Sequence, residues 1–280
     1  MKTGPLFAAT ALWGAASAAV AVIDSPKSAP IVAAGASIAL LSAACIGRQP
    51  IRGLFIGSPK LFLLLGLIEA ANIALYFGAL AIGPTPVVVA LHLTAPMMLI
   101  ALDALRGKRR VNLLLLAELA AIILAISLVV GDPQRGSGMG STVLACVMAL
   151  GSAAAVAVLI TLISRSSGQR PAAASAGIQL GLAALFVSPM LAFGVGSPEQ
   201  VLSLMAVGGA LLGPGFLLYW IGMRKSDATT AGIIGLNEVL VASLLVGLVG
   251  TGGITLATVI AGALIVIAVG LERFSLRGVC

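Results

Sequence analysis

The sequence is a succession of long apolar runs separated by short clusters of glycine, proline and charged residues. Each run is close to the ~20 residues that a helix needs to cross the hydrocarbon core of a bilayer. Lipid offers no partner to an open N–H or C=O group, so each run is predicted to close its hydrogen bonds internally as a helix. None shows the alternation typical of strands. The predicted spans are 5–23, 30–47, 61–81, 85–105, 112–130, 140–163, 172–194, 200–222, 228–248 and 254–271.

Composition agrees with this pattern, because 60% of the 280 residues are hydrophobic and only 9% are charged. A soluble globular chain carries about a quarter charged residues. The chain is therefore predicted to be an all-α integral membrane protein with ten transmembrane helices.

The first run has an alternative interpretation as a secretory signal, because Lys2 precedes an apolar stretch that contains the small residues Ala15–Ala19. The run is longer than the ~7 to 15 residues of a usual signal core. Cleavage would also leave an odd number of spans and an unpaired half. We therefore interpret the run as a retained transmembrane helix.

The basic residues predict the orientation, since Lys and Arg in short loops are retained on the cytoplasmic side. With the N-terminus inside, all of the 16 Lys and Arg residues except Lys27 and Arg135 fall on the cytoplasmic side. Both termini are thus expected in the cytoplasm and the protein in the cytoplasmic (inner) membrane. The net charge of +7 indicates this topology and contact with anionic lipids of the inner leaflet, and it gives no case for nucleic-acid binding.

A weak internal repeat aligns Leu61–Pro96 with Leu204–Val239 without a gap. Spans three and four then pair with spans eight and nine, and this odd offset of five spans makes the two copies cross the membrane in opposite directions. The pattern favours two inverted five-helix repeats, 1–135 and 136–280, as in many secondary transporters. The alternative is chance similarity between apolar helices. The aligned pairs include Gly66 with Gly209, Tyr76 with Tyr219, Phe77 with Trp220 and Leu93 with Leu236.

Short motifs in three spans resemble one known family. They are Trp13-Gly14, the segment from Pro84-Thr85-Pro86-Val87 to Ala95-Pro96, and Glu238-Val239. Together they are similar to the drug/metabolite transporter superfamily in its ten-span, EamA-like form. Within it, the threonine/homoserine exporter branch looks nearest, on Asn72, Tyr76, Pro84, Ala90-Leu91 and Thr94-Ala95-Pro96.

The resemblance implies a secondary transporter that exports a small metabolite. Two positions depart from the family pattern, because Val239 stands where proline is usual and His92 stands where the exporter branch carries an acid. The amino-acid substrate that the branch implies is therefore left open.

Few ionisable side chains lie deep in the spans, where a charge costs about 2.5 to 3.5 kcal/mol. Those near the midplane are Glu69, His92, Glu118 and Glu238. Glu69, Asn72 and Tyr76 recur at i, i+3 and i+7 and so share one helical face. They are predicted to line a cavity in which Asn72 holds substrate and Glu69 takes a proton or cation. The alternative is that they bond a neighbouring helix as packing groups.

Opposite this face in the repeat stands Gly213-Pro214-Gly215. Proline removes a helical hydrogen bond, so span eight is expected to loosen there and to turn free carbonyls towards the cavity. Gly213 and Gly215 are therefore predicted to form part of the substrate site.

His92 is the sole histidine, which disfavours multi-histidine metal sites and a Ser/His/Asp triad. Facing a wet cavity, it is suited to proton exchange or to donation to a substrate carboxylate, while a structural bond to a backbone carbonyl is the alternative. Asn237-Glu238 is the second predicted polar site, and Gly235, Glu238 and Ala242 give it a small-residue face. Glu69, His92 and Glu238 are the proton-coupling candidates.

The remaining candidates are less specific. Trp13, Tyr219 and Trp220 suit either stacking in the cavity or an aromatic belt at the membrane interface. The roles of Glu118 and of Cys45, Cys146 and Cys280 stay open, and the cysteine spacing favours neither disulfides nor a metal site. The substrate-binding prediction comprises Trp13, Glu69, Asn72, Tyr76, His92, Gly213, Gly215, Tyr219, Asn237 and Glu238.

These features favour a secondary active transporter of a small metabolite such as an amino acid or amine, working by alternating access with proton coupling. Export is implied by the family resemblance alone. A carrier for multidrug or cationic compound efflux is the alternative. An intramembrane enzyme is disfavoured because no nucleophile–base pair or metal motif occurs, and a passive channel is the third class. No cofactor or metal is expected. The partners are a small solute and membrane lipid, and small-residue helix faces permit a homodimer.

Overall fold

The computed structural model describes residues 3–23, 29–82, 88, 91–105, 107, 113, 116–117, 120–121, 123–124, 139–194, 196–249, 260, 263–264 and 267. Within these ranges every regular element is a helix. The α-helices are α1 (Gly4–Ile23), α2 (Ala29–Ile46), α3 (Ile51–Gly57), α4 (Pro59–Ile82), α5 (Ala95–Leu105), α6 (Met139–Ser166), α7 (Ala172–Val187), α8 (Pro198–Val207), α9 (Gly213–Met223), α10 (Ala228–Gly235) and α11 (Asn237–Val249).

These helices coincide closely with seven of the predicted spans and with part of an eighth. Spans one, two, three and six correspond to α1, α2, α4 and α6, whereas span nine is divided between α10 and α11. Span seven continues from α7 into a 3₁₀ segment, Ser188–Phe193, and α5 covers the second half of span four. Spans five and ten, with Glu118, lie almost wholly outside the described residues, as does Pro84–Pro86. The count of ten spans and the inverted repeat stay predictions.

In the part of the chain that the structure describes, five helical stretches are long and apolar enough to cross a membrane. They are Ala29–Ile46, Pro59–Leu80, Val143–Ser166, Ala172–Ala192 and Pro198–Met223, with Gly4–Val20 and Ala228–Ala242 as shorter apolar stretches. Large aliphatic side chains point outwards from them, including Leu63, Leu64 and Leu67 of α4 and Val143, Leu144 and Val147 of α6. Such an extensive apolar exterior suits contact with lipid.

Helices from the two ends of the chain pack closely against one another. α4 lies against α6 and α7, α2 lies against α7, and α1 lies against α9 and α11. Small residues permit the close approach. A Cβ added to Gly66 of α4 would collide with Leu182 of α7, and one added to Gly35 of α2 would collide with Met205 of α8. The middle of α4, where Glu69 lies, is thereby held against α7.

The eighth span is irregular at its centre. Between α8 and α9 a π-helical turn runs from Gly208 to Leu212, and the Gly213 N–H donates to the Gly208 carbonyl five residues back. Pro214 has no N–H to give to the carbonyl four residues before it, so the regular ladder is interrupted here. The expected loosening thus lies one turn before Gly213-Pro214-Gly215, because the proline acts on the preceding turn.

Two further features were not expected from the sequence. α3 forms a separate short helix between α2 and α4, and the ninth span breaks at Leu236, directly before Asn237 and Glu238. α10 begins after Asp227, whose carboxylate accepts the Thr230 backbone N–H at 2.8 Å and so caps the helix. The break places the two polar residues at the start of α11 rather than inside a continuous helix.

Candidate functional site

Glu69 lies in the middle of α4 with a side chain that is only 7% exposed. Its Oε2 accepts a hydrogen bond from the Gln179 side-chain nitrogen of α7 at 3.2 Å. The Gln179 side-chain oxygen in turn accepts from the Trp220 indole N–H of α9 at 3.1 Å. Gln179 and Trp220 are completely buried. One hydrogen-bonded chain therefore joins three helices and ends on a buried carboxyl group.

A second chain begins one turn further along α4. Asn72 lies one turn from Glu69 on the same face of α4, and its side chain interacts with the Glu69 carboxyl group. The Ser152 hydroxyl of α6 donates to Asn72 Oδ1 at 2.7 Å, and His92 Nδ1 lies 2.9 Å from the same hydroxyl. The Tyr76 ring packs on the His92 ring with centroids 4.4 Å apart. The face predicted on α4 does gather one polar cluster, and His92 bonds a serine hydroxyl there.

An aromatic cluster lies where α1 meets α9. The Trp13 ring centroid is 4.9 Å from those of Phe216 and Tyr219. Tyr219 is 3% exposed and Trp220 is fully buried. Aromatic belts sit at the lipid–water boundary, so the burial of both side chains inside the helix bundle contradicts the belt interpretation for them. In the part of the chain that the structure describes, Trp13 Nε1 and the Tyr219 hydroxyl have no hydrogen-bond partner.

Gly213 and Gly215 lie at close contacts between helices. A Cβ on Gly215 would come within 2.6 Å of Cδ1 and Nε1 of Trp13, and one on Gly213 would come within 3.2 Å of the Ala36 carbonyl oxygen. Their direct neighbours are thus α1 and α2. In this conformation the two glycines shape the site through the position of Trp13 and the approach of α2.

The second predicted polar pair lies where α1 meets α11. The Ser17 hydroxyl donates to Glu238 Oε1 at 3.2 Å, and the Asn237 side-chain nitrogen donates to Thr10 Oγ1 at 3.1 Å. Gly14 faces the Glu238 backbone carbonyl so closely that a Cβ would collide with it. Both side chains therefore bond α1.

These groups converge on one region of the bundle. Glu69 is close enough to interact electrostatically with Tyr219 and with Glu238, and Glu238 interacts in the same way with Tyr76. Repulsion between two like charges in a buried site is relieved when a proton or a cationic group binds. The arrangement offers two acids, an imidazole, amides and aromatic rings to a solute of matching polarity.

Gln179 and Ser152 are central to this site, and sequence analysis did not single them out. Gln179 carried a usable signal, since it is an amide within an apolar run. Ser152 carried none, because small residues are abundant along its helix. Cys45 and Cys146 are free thiols, and Cys280 lies outside the described residues.

Apolar helices that enclose a polar cluster define a multi-pass membrane protein. Residues 143–272 match the model of the EamA-like transporter family. This match supports the resemblance to the drug/metabolite transporter superfamily and indicates a membrane transporter of small molecules. It does not distinguish the threonine/homoserine exporter branch.

The fold recurs among solved structures. One crystal structure superimposes with a TM-score of 0.78 over 99% of this chain and 98% of the other, at 20% sequence identity. At that identity the likeness concerns the fold alone. No curated protein matches the chain significantly.

Proposed function

We propose that this protein is a secondary active transporter that exports a small metabolite, such as an amino acid or an amine, across the cytoplasmic membrane. The solute exchanges against a proton at a site formed around Glu69, His92 and Glu238. The two halves of the chain, 1–135 and 136–280, rock against one another around this site in alternating access.

The observation that carries the proposal is the burial of Glu69 between helices of both halves. Its carboxyl group bonds Gln179 of the second half and lies close to Asn72 of the first. Ionisable groups inside a membrane are costly and mark ion or solute pathways. Movement of one half against the other changes the surroundings of this carboxyl group, which is what coupling requires.

A proton and a cationic amine are alternative ligands for the same acids. Glu69 and Glu238 interact electrostatically, so a single positive charge between them stabilises the pair. A solute amine that displaces the proton on one side of the membrane, and is displaced on the other, gives exchange without nucleotide hydrolysis. The direction of export rests on the family resemblance.

The aromatic cluster favours a second candidate, the efflux of larger cationic compounds. The Trp13 ring packs against both Phe216 and Tyr219, and aromatic faces attract organic cations. Competition separates the two candidates. If the protein transports small metabolites, excess amino acid inhibits uptake of a labelled amine. If it transports larger cationic compounds, a quaternary ammonium dye inhibits that uptake instead.

The proposed orientation of the protein in the membrane follows from the basic residues of its loops. Both termini lie in the cytoplasm, the basic loops contact anionic lipid, and small-residue helix faces permit a homodimer. An intramembrane enzyme and a passive channel are the competing classes, and labelled solute distinguishes the channel. A carrier drives counterflow of labelled solute against its gradient, and a pore does not.

Solute accumulation driven by an imposed pH gradient in proteoliposomes tests the proposal. We expect Glu69→Gln to abolish proton-coupled accumulation while membrane abundance stays normal, because the amide keeps the size of the side chain and loses its exchangeable charge. The matched control is Glu199→Gln, which changes an exposed acid at the start of α8 and should leave transport unchanged. Full proton-coupled transport by Glu69→Gln would exclude the proposed coupling site.

A further inference from the structure

The carboxyl group of Glu69 stands between two hydrogen-bonded arms that differ in their chemistry. The first arm is Gln179 with Trp220. An indole N–H can only donate, so it fixes the Gln179 oxygen towards Trp220 and the amide N–H towards Glu69. Reversing this amide would leave two buried donors facing one another. The first arm therefore presents Glu69 with a permanent donor.

The second arm is Asn72 with Ser152 and His92, and each of its links can reverse. A hydroxyl both donates and accepts, and a neutral imidazole carries its proton on either nitrogen. Ser152 lies 2.7 Å from Asn72 Oδ1 and 2.9 Å from His92 Nδ1. When Ser152 donates to Asn72, its oxygen is left to accept from an Nδ1–H of His92. The Asn72 N–H then faces the ionised Glu69.

We propose that Asn72, Ser152 and His92 form a reversible hydrogen-bond relay through which proton binding at Glu69 sets the tautomer of His92. The proposal rests on the proposed function, since it describes the response of the site to the coupled proton. The protonated carboxyl group donates to Asn72 Oδ1, the Asn72 N–H donates to Ser152, and Ser152 donates to His92 Nδ1. Water in the cavity supplies the one proton gained by Glu69, and water also accepts the Nδ1 proton of His92 and returns one to Nε2, so the imidazole stays neutral.

The relay exchanges the donor and acceptor nitrogens of the His92 ring, which packs against Tyr76. His92 Nε2 accepts a hydrogen bond while Glu69 is ionised and donates one after Glu69 is protonated. A solute group beside Nε2 therefore meets opposite partners in the two states. Among the described residues, the other titratable groups that interact with Glu69 are Tyr219 and Glu238, and the one that packs against His92 is Tyr76. None of these is a link in either arm.

Nitrogen NMR of the full-length protein tests the relay directly, because the chain has 1 histidine and ¹⁵N-histidine labelling reports on it alone. At alkaline pH, with Glu69 ionised, we expect the Nδ1–H tautomer. In Glu69→Gln the Gln179 N–H of the first arm still needs an acceptor, so it bonds the carbonyl oxygen of the introduced amide. The N–H of that amide then points to Asn72. We therefore expect His92 to convert to the Nε2–H tautomer. Glu199→Gln should keep the wild-type spectrum.

Ser152→Ala is the second variant, and it removes the middle link at a small residue. On its own, this substitution should abolish the preference of His92 for the Nδ1–H tautomer. Combined with it, Glu69→Gln should no longer change the ¹⁵N spectrum of His92. An Nε2–H tautomer in the wild type at alkaline pH overturns the relay, as does a Ser152→Ala spectrum that keeps Nδ1–H. These two results need no folded Glu69→Gln protein.

The outcome separates the relay from the transport proposal. Solute transport driven by a pH gradient, together with an unresponsive His92, overturns the relay and leaves the carrier intact. A responsive His92 in a protein without counterflow supports the relay and removes the proposed transport.

Discussion

A buried carboxyl group in an apolar bundle is tolerable only when donors face it. Gln179 provides the fixed donor for Glu69, and the Trp220 N–H determines which end of the amide Glu69 meets. The two side chains are fully buried. The local structure around Glu69 therefore depends on residues that need not touch the solute.

Gln179→Met tests this dependence through stability. Methionine keeps the length of the side chain but leaves the Trp220 N–H and one carboxylate oxygen without partners. An unsatisfied buried group costs about 1 to 3 kcal/mol, and we expect destabilisation of that order in reversible denaturation of the purified protein.

The matched control is Thr161→Val, since among the described residues the Thr161 hydroxyl bonds the Ala157 carbonyl of its own helix at 2.8 Å. Its effect should be smaller. If Gln179→Met and Thr161→Val have equal stability, the Gln179 chain does not hold Glu69 in place.

At the residue scale the sequence reveals which charges are energetically costly to bury. It does not reveal which uncharged side chains offset that cost through hydrogen bonds. Glu69, Asn72 and Tyr76 were predictable as one face because helical spacing is regular. Their contact with Gln179 and Ser152 depends on which helices meet α4 and in which rotation. A single sequence of uniformly apolar helices carries little information on either.

At the scale of elements, the segment before α9 departs from regular helix because of its composition. Pro214 has no N–H and so interrupts the backbone hydrogen bonds of the helix, and the π-helical turn at Gly208–Leu212 accommodates the missing hydrogen bond. The absence of side chains at Gly213 and Gly215 then lets α9 approach α2 and α1. The position of Trp13 in the aromatic cluster depends on this approach.

Gly215→Ala tests the role of that contact. The added methyl would lie 2.6 Å from two atoms of the Trp13 ring, so the ring or the helices must move. We expect reduced solute affinity in counterflow with membrane abundance maintained. Gly57→Ala is the control, because a Cβ at Gly57 meets nothing within 4 Å. Equal solute affinity in both variants would show that α9 is scaffold.

Helix positions were the most predictable feature of the fold. The run 30–47 became α2 (Ala29–Ile46) and the run 61–81 became α4 (Pro59–Ile82), because length and hydropathy alone determine a span. The separation of α3 and the break at Leu236 were not predicted. Both lie inside or beside apolar stretches, where hydropathy does not distinguish a turn from a continuing helix.

At the scale of the whole molecule, helices from both ends of the chain pack together, since α4 packs on α6 and α7 and α1 packs on α9 and α11. The site draws on both ends as well. Motion of one part against the other must therefore rearrange the contacts of Glu69 and Glu238, as the proposed alternating access requires.

The proposed topology has its own test. We expect a fluorescent protein fused after Cys280 to fold and fluoresce, and alkaline phosphatase at the same position to stay inactive, because the basic loops retain both termini in the cytoplasm. A fusion after residue 27, in the first predicted external loop, is the comparison and should give the reverse. Phosphatase activity from the C-terminal fusion would refute the proposed orientation.

The central claim is that the polar groups around Glu69 face water from each side of the membrane in turn. Single cysteines at positions 69, 92 and 238, in a protein whose own Cys45, Cys146 and Cys280 are replaced, test it with a membrane-impermeant thiol reagent. We predict labelling from both sides, with solute protecting the sites. If the reagent reaches none of the three positions from either side, the proposed carrier site is contradicted.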